Sequence, residues 1–145
     1  DYIDLAQPNN ILGFHYEAGS DVEQTLKDIR SYGCKSCLTI KPCTEAEEIF
    51  PLLPLCDMVL VMSVEPGFGG QKLIPECVEK VTELAKHRET ISASFDIQVD
   101  GGIGLSNVKS VYDAGAEVFV AGTAVFCGDI FQNVKAFKEE VRVAD

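Results

Sequence analysis

Short apolar runs alternate along the chain with segments in which apolar residues recur every three or four positions. The short runs predict β-strands and the periodic segments predict helices. Five predicted strands, each followed by a helix, cover residues 11–16, 37–40, 58–64, 95–99 and 118–121. Continuous apolar strands separated by helices are typical of a parallel sheet covered by helices, so the sequence predicts the α/β class.

Polar residues and proline indicate where the predicted helices begin. The residues expected in or beside the first turns are Ser20 with Glu23, Thr44 with Glu47, Pro75, Ser106 and Asp129. The side chains that the last helix is expected to bury are Phe131, Val134, Phe137 and Val141. Residues 1–7 resemble the end of a preceding helix, which suggests that more sequence comes before them.

Two architectures fit five βα units: an open, doubly wound sheet and part of a (β/α)8 barrel. The length of 145 residues favours the open sheet. Functional residues of both architectures gather at the carboxyl ends of the strands, which read HYEA, IKPC, SVEPGFGG, VDGGIG and AGTAVF here. Glycines follow the last two strands, and the loops after strands 7 and 8 of a barrel form its recurrent phosphate site. That agreement favours the barrel.

The composition and charge of the chain limit the kinds of partner that we expect it to bind. The chain is 46% hydrophobic, enough for one domain over residues 1–145, and carries a formal charge of −11 without a cluster of Lys or Arg. We therefore expect no nucleic acid partner, although backbone N–H groups still allow a small phosphorylated metabolite. Pro51, Pro54 and Asp57 interrupt the longest apolar region, so we expect no membrane span, and a signal-peptide pattern is absent. The sequence predicts a cytoplasmic protein.

Six cysteines invite a disulfide or metal interpretation. Disulfide frameworks belong to short secreted chains that lack a core, so reduced thiols fit this composition better. Cys34 and Cys37 have CxxC spacing, but a second CxxC or a paired His is absent, and the pair enters a strand. We expect these two thiols to be buried or at the rim of the fold.

The glycine-rich stretch after the third strand matches neither common nucleotide motif. A dinucleotide fingerprint beginning at Gly67 requires glycine at position 72, which is Lys72, and a P-loop requires Gly-Lys followed by Ser or Thr. GFGG is equally consistent with an ordinary flexible connection. Asp100 ends a strand directly before two glycines, where a carboxylate either binds a metal or moves a proton, or caps the following turn.

The motifs VMSVEPGFGGQK, VDGGIG and AGTAVF, in this order and at these separations, closely resemble the second half of the ribulose-phosphate 3-epimerase family. GFHYEAGSD and IKP resemble it as well, so the resemblance covers essentially the whole chain. Allulose-6-phosphate epimerase shares most of these motifs. The resemblance implies a (β/α)8 TIM barrel, present here as about five βα units, with its first strands absent.

The resemblance also implies an activity in the pentose phosphate pathway: interconversion of D-ribulose 5-phosphate and D-xylulose 5-phosphate. Two acid/base carboxylates exchange the proton at C3 through an enediolate that a divalent metal stabilises. Asp100 matches one carboxylate and one metal ligand, the metal being zinc or iron, with manganese or cobalt as alternatives. The positions that match substrate contacts are Met62, Gly67, Phe68, Gly69, Gly70, Gly101, Gly102, Gly122 and Thr123. Met62 is equally consistent with a core position in its strand.

The other functional residues of the family lie on the first strands, which have no counterpart here. His15 aligns with a different strand, so we expect it to be structural near the pocket rim. Either the chain is part of a longer enzyme, or it is a shortened, non-catalytic phosphate-binding relative. Five barrel strands alone leave two open edges, so the longer enzyme is favoured. The expected partner is a sugar phosphate, and the expected assembly is a homo-oligomer.

Overall fold

The computed structural model describes residues 10–19, 21–67 and 69–141. The strands are β1 (Ile11–His15), β2 (Lys35–Ile40), β3 (Met58–Met62), β4 (Asp96–Asp100) and β5 (Val118–Val120). The α-helices are α1 (Val22–Ser31), α2 (Glu76–Thr90), α3 (Val108–Asp113), α4 (Thr123–Phe126) and α5 (Ile130–Glu140). Two 3₁₀ helices cover Tyr16–Ala18 and Ala46–Leu55. The five predicted strands and the α/β class are confirmed.

All five strands pair in parallel in the order β1-β2-β3-β4-β5. A doubly wound sheet reverses its strand order at a switch point, and this sheet does not. Because βαβ crossovers are right-handed, a sheet that grows in one direction carries its helices on one face. The topology is therefore that of a barrel segment and rules out the open flavodoxin-like sheet.

Alternate strand residues form the core between the sheet and its helices. Val59, Val61, Ile97 and Val99 on β3 and β4 are at most 2% exposed and belong to one apolar cluster. The helix residues of the same cluster include Leu26, Val81, Leu84, Val108 and Val111. Burying a side chain of this size stabilises the fold by about 1.5–3 kcal/mol. The alternation places Met62 and Asp100 on the opposite face of the sheet, away from the helices.

Proline shapes the connection between β2 and β3. The segment Ala46–Leu55 is a 3₁₀ helix that contains Pro51 and Pro54. Proline lacks the N–H group that an α-helix requires in its interior, so a regular α-helix does not form here. Ile49 and Leu53 are fully buried and still anchor the segment to the core.

Two predicted helix starts are wrong by one residue. Asp21 caps α1 by accepting a hydrogen bond from the Gln24 N–H, at 3.0 Å, whereas Ser20 lies outside the described residues. The capping box of the 3₁₀ helix joins Glu45 and Glu48, because the hydroxyl of Thr44 donates to Glu17 instead.

Of the three remaining predicted helix starts, one is confirmed and two differ by one residue. Asn107 precedes α3 in place of Ser106, and Pro75 lies one position before α2. Asp129 caps α5 as predicted, accepting a hydrogen bond from the Gln132 N–H at 3.1 Å. Several polar residue types can occupy the position before a helix, so a polar neighbour of the predicted residue can take its place.

The predicted buried face of the last helix is only half correct. Phe137 and Val141 pack against the core, but Phe131 is 89% exposed and Val134 is 37% exposed. The prediction is wrong for these two residues because β5 is the last strand of the described sheet, and no further described strand lies beside it to cover them. The helix expected at residues 1–7 lies outside the described residues.

The cysteines are free thiols. Cys34, Cys37, Cys56 and Cys77 are buried, whereas Cys43 and Cys127 are exposed. Burial raises the pKa of Cys37 to about 11 and that of Cys56 to about 12. The burial of both Cys34 and Cys37 confirms the prediction of packed thiols at the CxxC pair. Within the described part of the chain, no helix combines the length and the apolar character needed to cross a bilayer.

Candidate functional site

An open cavity of about 760 Å³ lies at the carboxyl ends of β3, β4 and β5. Every predicted site residue that the structure describes lines it: Met62, Gly67, Gly69, Gly70, Asp100, Gly101, Gly102, Gly122 and Thr123. Phe68 lies outside the described residues. Motifs separated by up to about 60 positions in the sequence therefore form one wall because their strands are neighbours.

Asp100 is the last residue of β4 and lies between Met62 and Val120 of the neighbouring strands. Its side chain is half-buried, and this burial raises the pKa of Asp100 above its ordinary value. Among the described residues, no donor forms a hydrogen bond with the carboxylate. A partly desolvated carboxylate at the mouth of a cavity is suited to proton transfer, since its pKa moves toward neutral pH.

Gly101 and Gly102 form a sharp turn directly after Asp100, with φ of +125° and +66°. A Cβ at Gly101 would lie 2.5 Å from Cγ2 of Val64, and one at Gly102 would overlap the backbone nitrogen of Leu73. The chain after β3 thus passes directly over the end of β4. Only glycine fits this close approach and this backbone conformation.

Ser63 connects the ends of β3 and β4, and sequence reasoning did not identify it. It is fully buried, its N–H donates to the Asp100 carbonyl at 2.8 Å, and its Oγ lies 2.6 Å from the Gly101 carbonyl oxygen. The Ser63 carbonyl accepts a hydrogen bond from the Ile74 N–H at 2.8 Å. The sequence signal was a serine at the end of the most apolar strand, since a buried hydroxyl requires a partner.

Asn107 holds the other side of the same turn. Its Nδ2 donates to the Gly102 carbonyl at 2.9 Å, and its Oδ1 accepts from the Gly104 N–H at 2.9 Å. Sequence reasoning considered the neighbouring Ser106 instead. The turn after β4 is therefore fixed from both sides by side chains that do not line the cavity.

The electrostatics of the cavity favour backbone recognition of an anion. Its described lining includes two carboxylates, Asp100 and Glu65, and neither Lys nor Arg. Gln71 also lines the cavity and donates from Nε2 to the Glu65 carbonyl at 2.7 Å, which closes the glycine-rich loop. Over the part of the chain that the structure describes, the N–H groups of Gly101 and Gly102 donate to no protein acceptor. Oriented amides of this kind bind phosphate groups.

The described residues do not form a complete metal centre. No group of three or more His, Cys, Asp or Glu side chains in residues 10–19, 21–67 and 69–141 is arranged to hold a metal ion. The described lining of the cavity offers two carboxylates, those of Asp100 and Glu65. Most protein metal sites require at least three protein ligands, so these residues do not fit a divalent metal without further ligands.

A second polar cluster lies at the carboxyl ends of β1 and β2. Glu17 accepts hydrogen bonds from the Lys41 N–H, at 2.9 Å, and from the Thr44 hydroxyl. Lys80, only 5% exposed, reaches from α2 and donates to the carbonyls of Pro42, at 2.6 Å, and Thr44. We call these five residues the Lys80 network. The network joins the loops after β1 and β2 to α2.

His15 lies beside this network. Its Nδ1 is 3.5 Å from Oε2 of Glu17, and the imidazole does not line the cavity. Burial alone would raise the pKa of Glu17, but the hydrogen bonds from Thr44 and Lys41 and the electrostatic interaction with His15 lower it below its usual value. The structural role predicted for His15 remains a prediction.

Curated proteins with similar sequences are ribulose-phosphate 3-epimerases. The chain is 45% identical over 130 residues to the enzyme of Candida glabrata, which covers 89% of this chain and 51% of that protein. It is 38% identical over 117 residues to the enzyme of Escherichia coli strain K12, which covers 81% of this chain and 52% of that protein. The chain thus spans about half the length of the curated relatives it matches.

Solved structures with a similar fold are barrel-type enzymes of low sequence identity. A crystal structure of 3-hexulose-6-phosphate synthase matches with a TM-score of 0.67 at 17% identity, covering 92% of this chain and 62% of that one. The 3-dehydroquinate dehydratase of Geobacillus kaustophilus HTA426 matches with a TM-score of 0.53 at 10% identity, covering 90% and 53%. These likenesses support the fold alone, and they agree with the barrel topology of the sheet.

The cavity wall combines a strand-ending carboxylate with two glycine-rich turns, which are the motifs that carried the sequence resemblance. The model of the ribulose-phosphate 3-epimerase family matches residues 2–126, which is most of the chain and includes this whole wall. The match and the identities of 38% to 45% to curated relatives lead to one conclusion. The chain belongs to the ribulose-phosphate 3-epimerase family.

Proposed function

We propose that the natural protein carrying this chain is a ribulose-phosphate 3-epimerase that interconverts D-ribulose 5-phosphate and D-xylulose 5-phosphate. The observation that carries the proposal is the position of Asp100. Its carboxylate lies in the cavity wall directly before two glycines whose N–H groups are available to an anion. One turn thus brings an acid/base group next to donors for a phosphate.

Asp100 performs one of the two proton transfers of the reaction. In one direction its carboxylate accepts the proton of C3, and in the other its carboxylic acid returns a proton to C3 from the same face. The raised pKa of Asp100 brings both protonation states closer to equal population at neutral pH, which favours transfer in both directions. Inversion also needs an acid/base group on the opposite face, which the resemblance places on the first strands of the barrel.

The glycine-rich turns hold the phosphate. Gly101, Gly102, Gly122 and Thr123 line one cavity, and their N–H groups serve in place of the Lys and Arg that its described lining lacks. Gly67, Gly69 and Gly70 form the loop that covers the substrate, and Met62 contributes an apolar surface beside C3. Anchoring at the phosphate orients C3 toward Asp100, which lowers the entropic part of the barrier.

Asp100 also remains a predicted ligand of a divalent metal. The family resemblance predicts zinc or iron, with manganese or cobalt as alternatives. The remaining ligands have no counterpart among the described residues. The cytoplasmic location, the assembly into a homo-oligomer and the place in the pentose phosphate pathway also remain predictions.

Two alternatives follow from specific observations. The motifs that allulose-6-phosphate epimerase shares with this chain do not distinguish a pentulose from a hexulose phosphate. The second alternative is a non-catalytic, phosphate-binding chain, which the glycine-rich turns of the cavity wall would serve equally well. The two differ in a direct observable, because only an epimerase exchanges the C3 proton with solvent.

Solvent exchange tests the proposal. The intact natural protein is incubated in D₂O with D-ribulose 5-phosphate and, in parallel, with D-allulose 6-phosphate, and loss of the C3 proton signal is followed by NMR. We expect fast exchange with the pentulose phosphate, and the 145-residue chain alone is the control for a missing wall. Faster exchange with the hexulose phosphate would favour the related epimerase, and exchange with neither substrate would refute the catalytic proposal.

A further inference from the structure

Ser63 holds the turn after β4 by two separable hydrogen bonds. Its main-chain N–H donates to the Asp100 carbonyl at 2.8 Å. Its hydroxyl has a single hydrogen, and the shorter of its two contacts, 2.6 Å, is to the Gly101 carbonyl oxygen, whereas the Asp100 carbonyl oxygen lies 3.1 Å away. The side chain therefore restrains the Gly101–Gly102 peptide, and the main chain restrains Asp100.

The direction of the Gly101 carbonyl fixes the direction of the Gly102 N–H. Both groups belong to one trans peptide, in which the C=O and N–H bonds point in opposite directions. Ser63 is fully buried, so the Gly101 carbonyl points into the fold. The Gly102 N–H consequently points outward, and Gly102 is exposed and lines the cavity.

We propose that the Ser63 hydroxyl is a positioning residue for anion binding: it orients the Gly101–Gly102 peptide so that the Gly102 N–H faces the bound phosphate. This inference rests on the phosphate site of the proposed function and extends it to a residue outside the cavity lining. Without the hydroxyl, the glycine peptide is free to rotate, since glycine imposes few steric limits on φ and ψ. The Asp100 carbonyl remains held by the Ser63 N–H.

Ser36 provides a matched control. It is also a fully buried serine, and its Oγ donates to the Leu55 carbonyl at 2.6 Å. It lies near the start of β2, at the amino ends of the strands, whereas the cavity lies at their carboxyl ends. Ser36→Ala and Ser63→Ala therefore remove the same kind of bond, but only the Ser63 bond holds a peptide that borders the proposed site.

Inorganic phosphate binding, measured by calorimetry on the intact natural protein, tests the inference independently of catalysis. We expect Ser63→Ala to raise the phosphate Kd about tenfold and the KM for D-ribulose 5-phosphate similarly, with kcat changed by less than about twofold. Ser63→Thr keeps the hydroxyl and is expected to restore the Kd to within about twofold. Ser36→Ala is expected to leave the Kd unchanged.

Three outcomes would overturn the inference: no phosphate binding by the unsubstituted protein, an unchanged Kd in Ser63→Ala, or equal weakening by Ser36→Ala. A failure of the proposed function is distinguishable. If the protein does not exchange the C3 proton but its phosphate affinity still falls in Ser63→Ala and returns in Ser63→Thr, the epimerase proposal fails and the role of Ser63 stands.

Discussion

The carboxyl edge of the sheet is built in two different ways. At β3, β4 and β5, the turns are held by backbone hydrogen bonds and by Ser63 and Asn107 from behind, which leaves an open cavity. At β1 and β2, the Lys80 network joins the loops to α2 through charged side chains that bind backbone carbonyls and amides. The carboxyl ends of the strands therefore carry an open binding surface beside a cluster whose polar groups are hydrogen-bonded within the protein.

The contrast explains why glycine is found on one side and long polar side chains on the other. Gly101 and Gly102 let the chain approach itself closely and leave their N–H groups to a ligand. Lys80, Glu17 and Thr44 use their polar atoms within the protein. Groups that are already hydrogen-bonded have little to offer a substrate. Substitutions on the two sides should accordingly change different properties.

The largest expected effect is on activity at the cavity. Asp100→Asn removes the acid/base group but preserves the size of the side chain, so we expect the rate of C3 proton exchange to fall about 10³-fold. This corresponds to about 4 kcal/mol of transition-state stabilisation. The rate is measured by NMR in D₂O with D-ribulose 5-phosphate.

Asp96→Asn is the matched control for Asp100→Asn. Asp96 is on the same strand and faces the same side of the sheet, but it lies at the amino end of β4, away from the cavity. We expect its exchange rate to stay within about twofold of the unsubstituted protein. Loss of less than about tenfold in Asp100→Asn would remove Asp100 from the proposed mechanism.

The next largest effect is on stability at the turn after β4. Gly102→Ala places a Cβ on the backbone nitrogen of Leu73 at a φ of +66°, so either the turn or the chain above it has to move. We expect the free energy of unfolding to fall by about 3 kcal/mol. Urea unfolding followed by circular dichroism measures the change.

Gly69→Ala separates backbone geometry from site chemistry. Gly69 also lines the cavity, but an added Cβ meets nothing within 4 Å among the described residues. Its unfolding free energy is expected to stay within about 0.5 kcal/mol of the original. If both glycine substitutions destabilise the protein equally, the close approach at Gly102 is not the cause.

The sequence predicted the cavity at β3, β4 and β5 better than it predicted the Lys80 network at β1 and β2. Strand-ending glycines and Asp100 are visible as motifs because the chemistry needs them at fixed neighbouring positions. Lys80 and Glu17 are 63 residues apart, and neither belongs to a local pattern. The Lys80 network exists only after β1, β2 and α2 have packed together.

Barrel topology was also only partly readable. Length favoured an open sheet and the glycine turns favoured a barrel, and strand order decided between them. Two helix starts were misplaced by one residue for reasons that lie outside the local pattern. Thr44 is hydrogen-bonded to Glu17, and the side chain of Asn107, which precedes α3, is hydrogen-bonded within the turn after β4. Phe131 was misplaced because periodicity gives the apolar face of a helix but not how far the sheet below it extends.

In the Lys80 network, Lys80→Met should reduce the stability of the fold and leave the activity of the protein unchanged. Methionine keeps the apolar stem of Lys80 but leaves the half-buried carbonyl of Pro42 and the buried carbonyl of Thr44 without their donor. We expect the free energy of unfolding to fall by about 2 kcal/mol, with kcat within about twofold of the original. Urea unfolding and steady-state kinetics on the same preparations measure both quantities.

Lys86→Met on the exposed side of α2 is the control, since it removes the same charge where water replaces the contacts. Its effect on the unfolding free energy is expected to be within about 0.5 kcal/mol. A larger fall in kcat for Lys80→Met than for Lys86→Met would mean that the Lys80 network and the cavity are coupled. The two regions would then not be independent.

The smallest expected effects are pH dependences of opposite sign. The lowered pKa of Glu17 means that its ionised form stabilises the fold at neutral pH, and this contribution is lost as the pH falls through the folded pKa. The raised pKa of Asp100 means that its ionised form costs stability at neutral pH, and acidification relieves this cost. Glu17→Gln should therefore lower the Tm at pH 7, and Asp100→Asn should raise it.

Both differences should shrink toward zero in acid, each as the carboxylate concerned becomes protonated in the folded protein, and scanning calorimetry between pH 7 and pH 3 follows them. The Asp100→Asn difference should shrink at the higher pH, because the pKa of Asp100 is raised and that of Glu17 is lowered. Two substitutions that shift Tm in the same direction at pH 7 would contradict the comparison. Opposite signs would show that ionised Glu17 stabilises the fold within the Lys80 network. They would also show that ionised Asp100 lowers the stability of the fold at the cavity, where its raised pKa favours proton transfer.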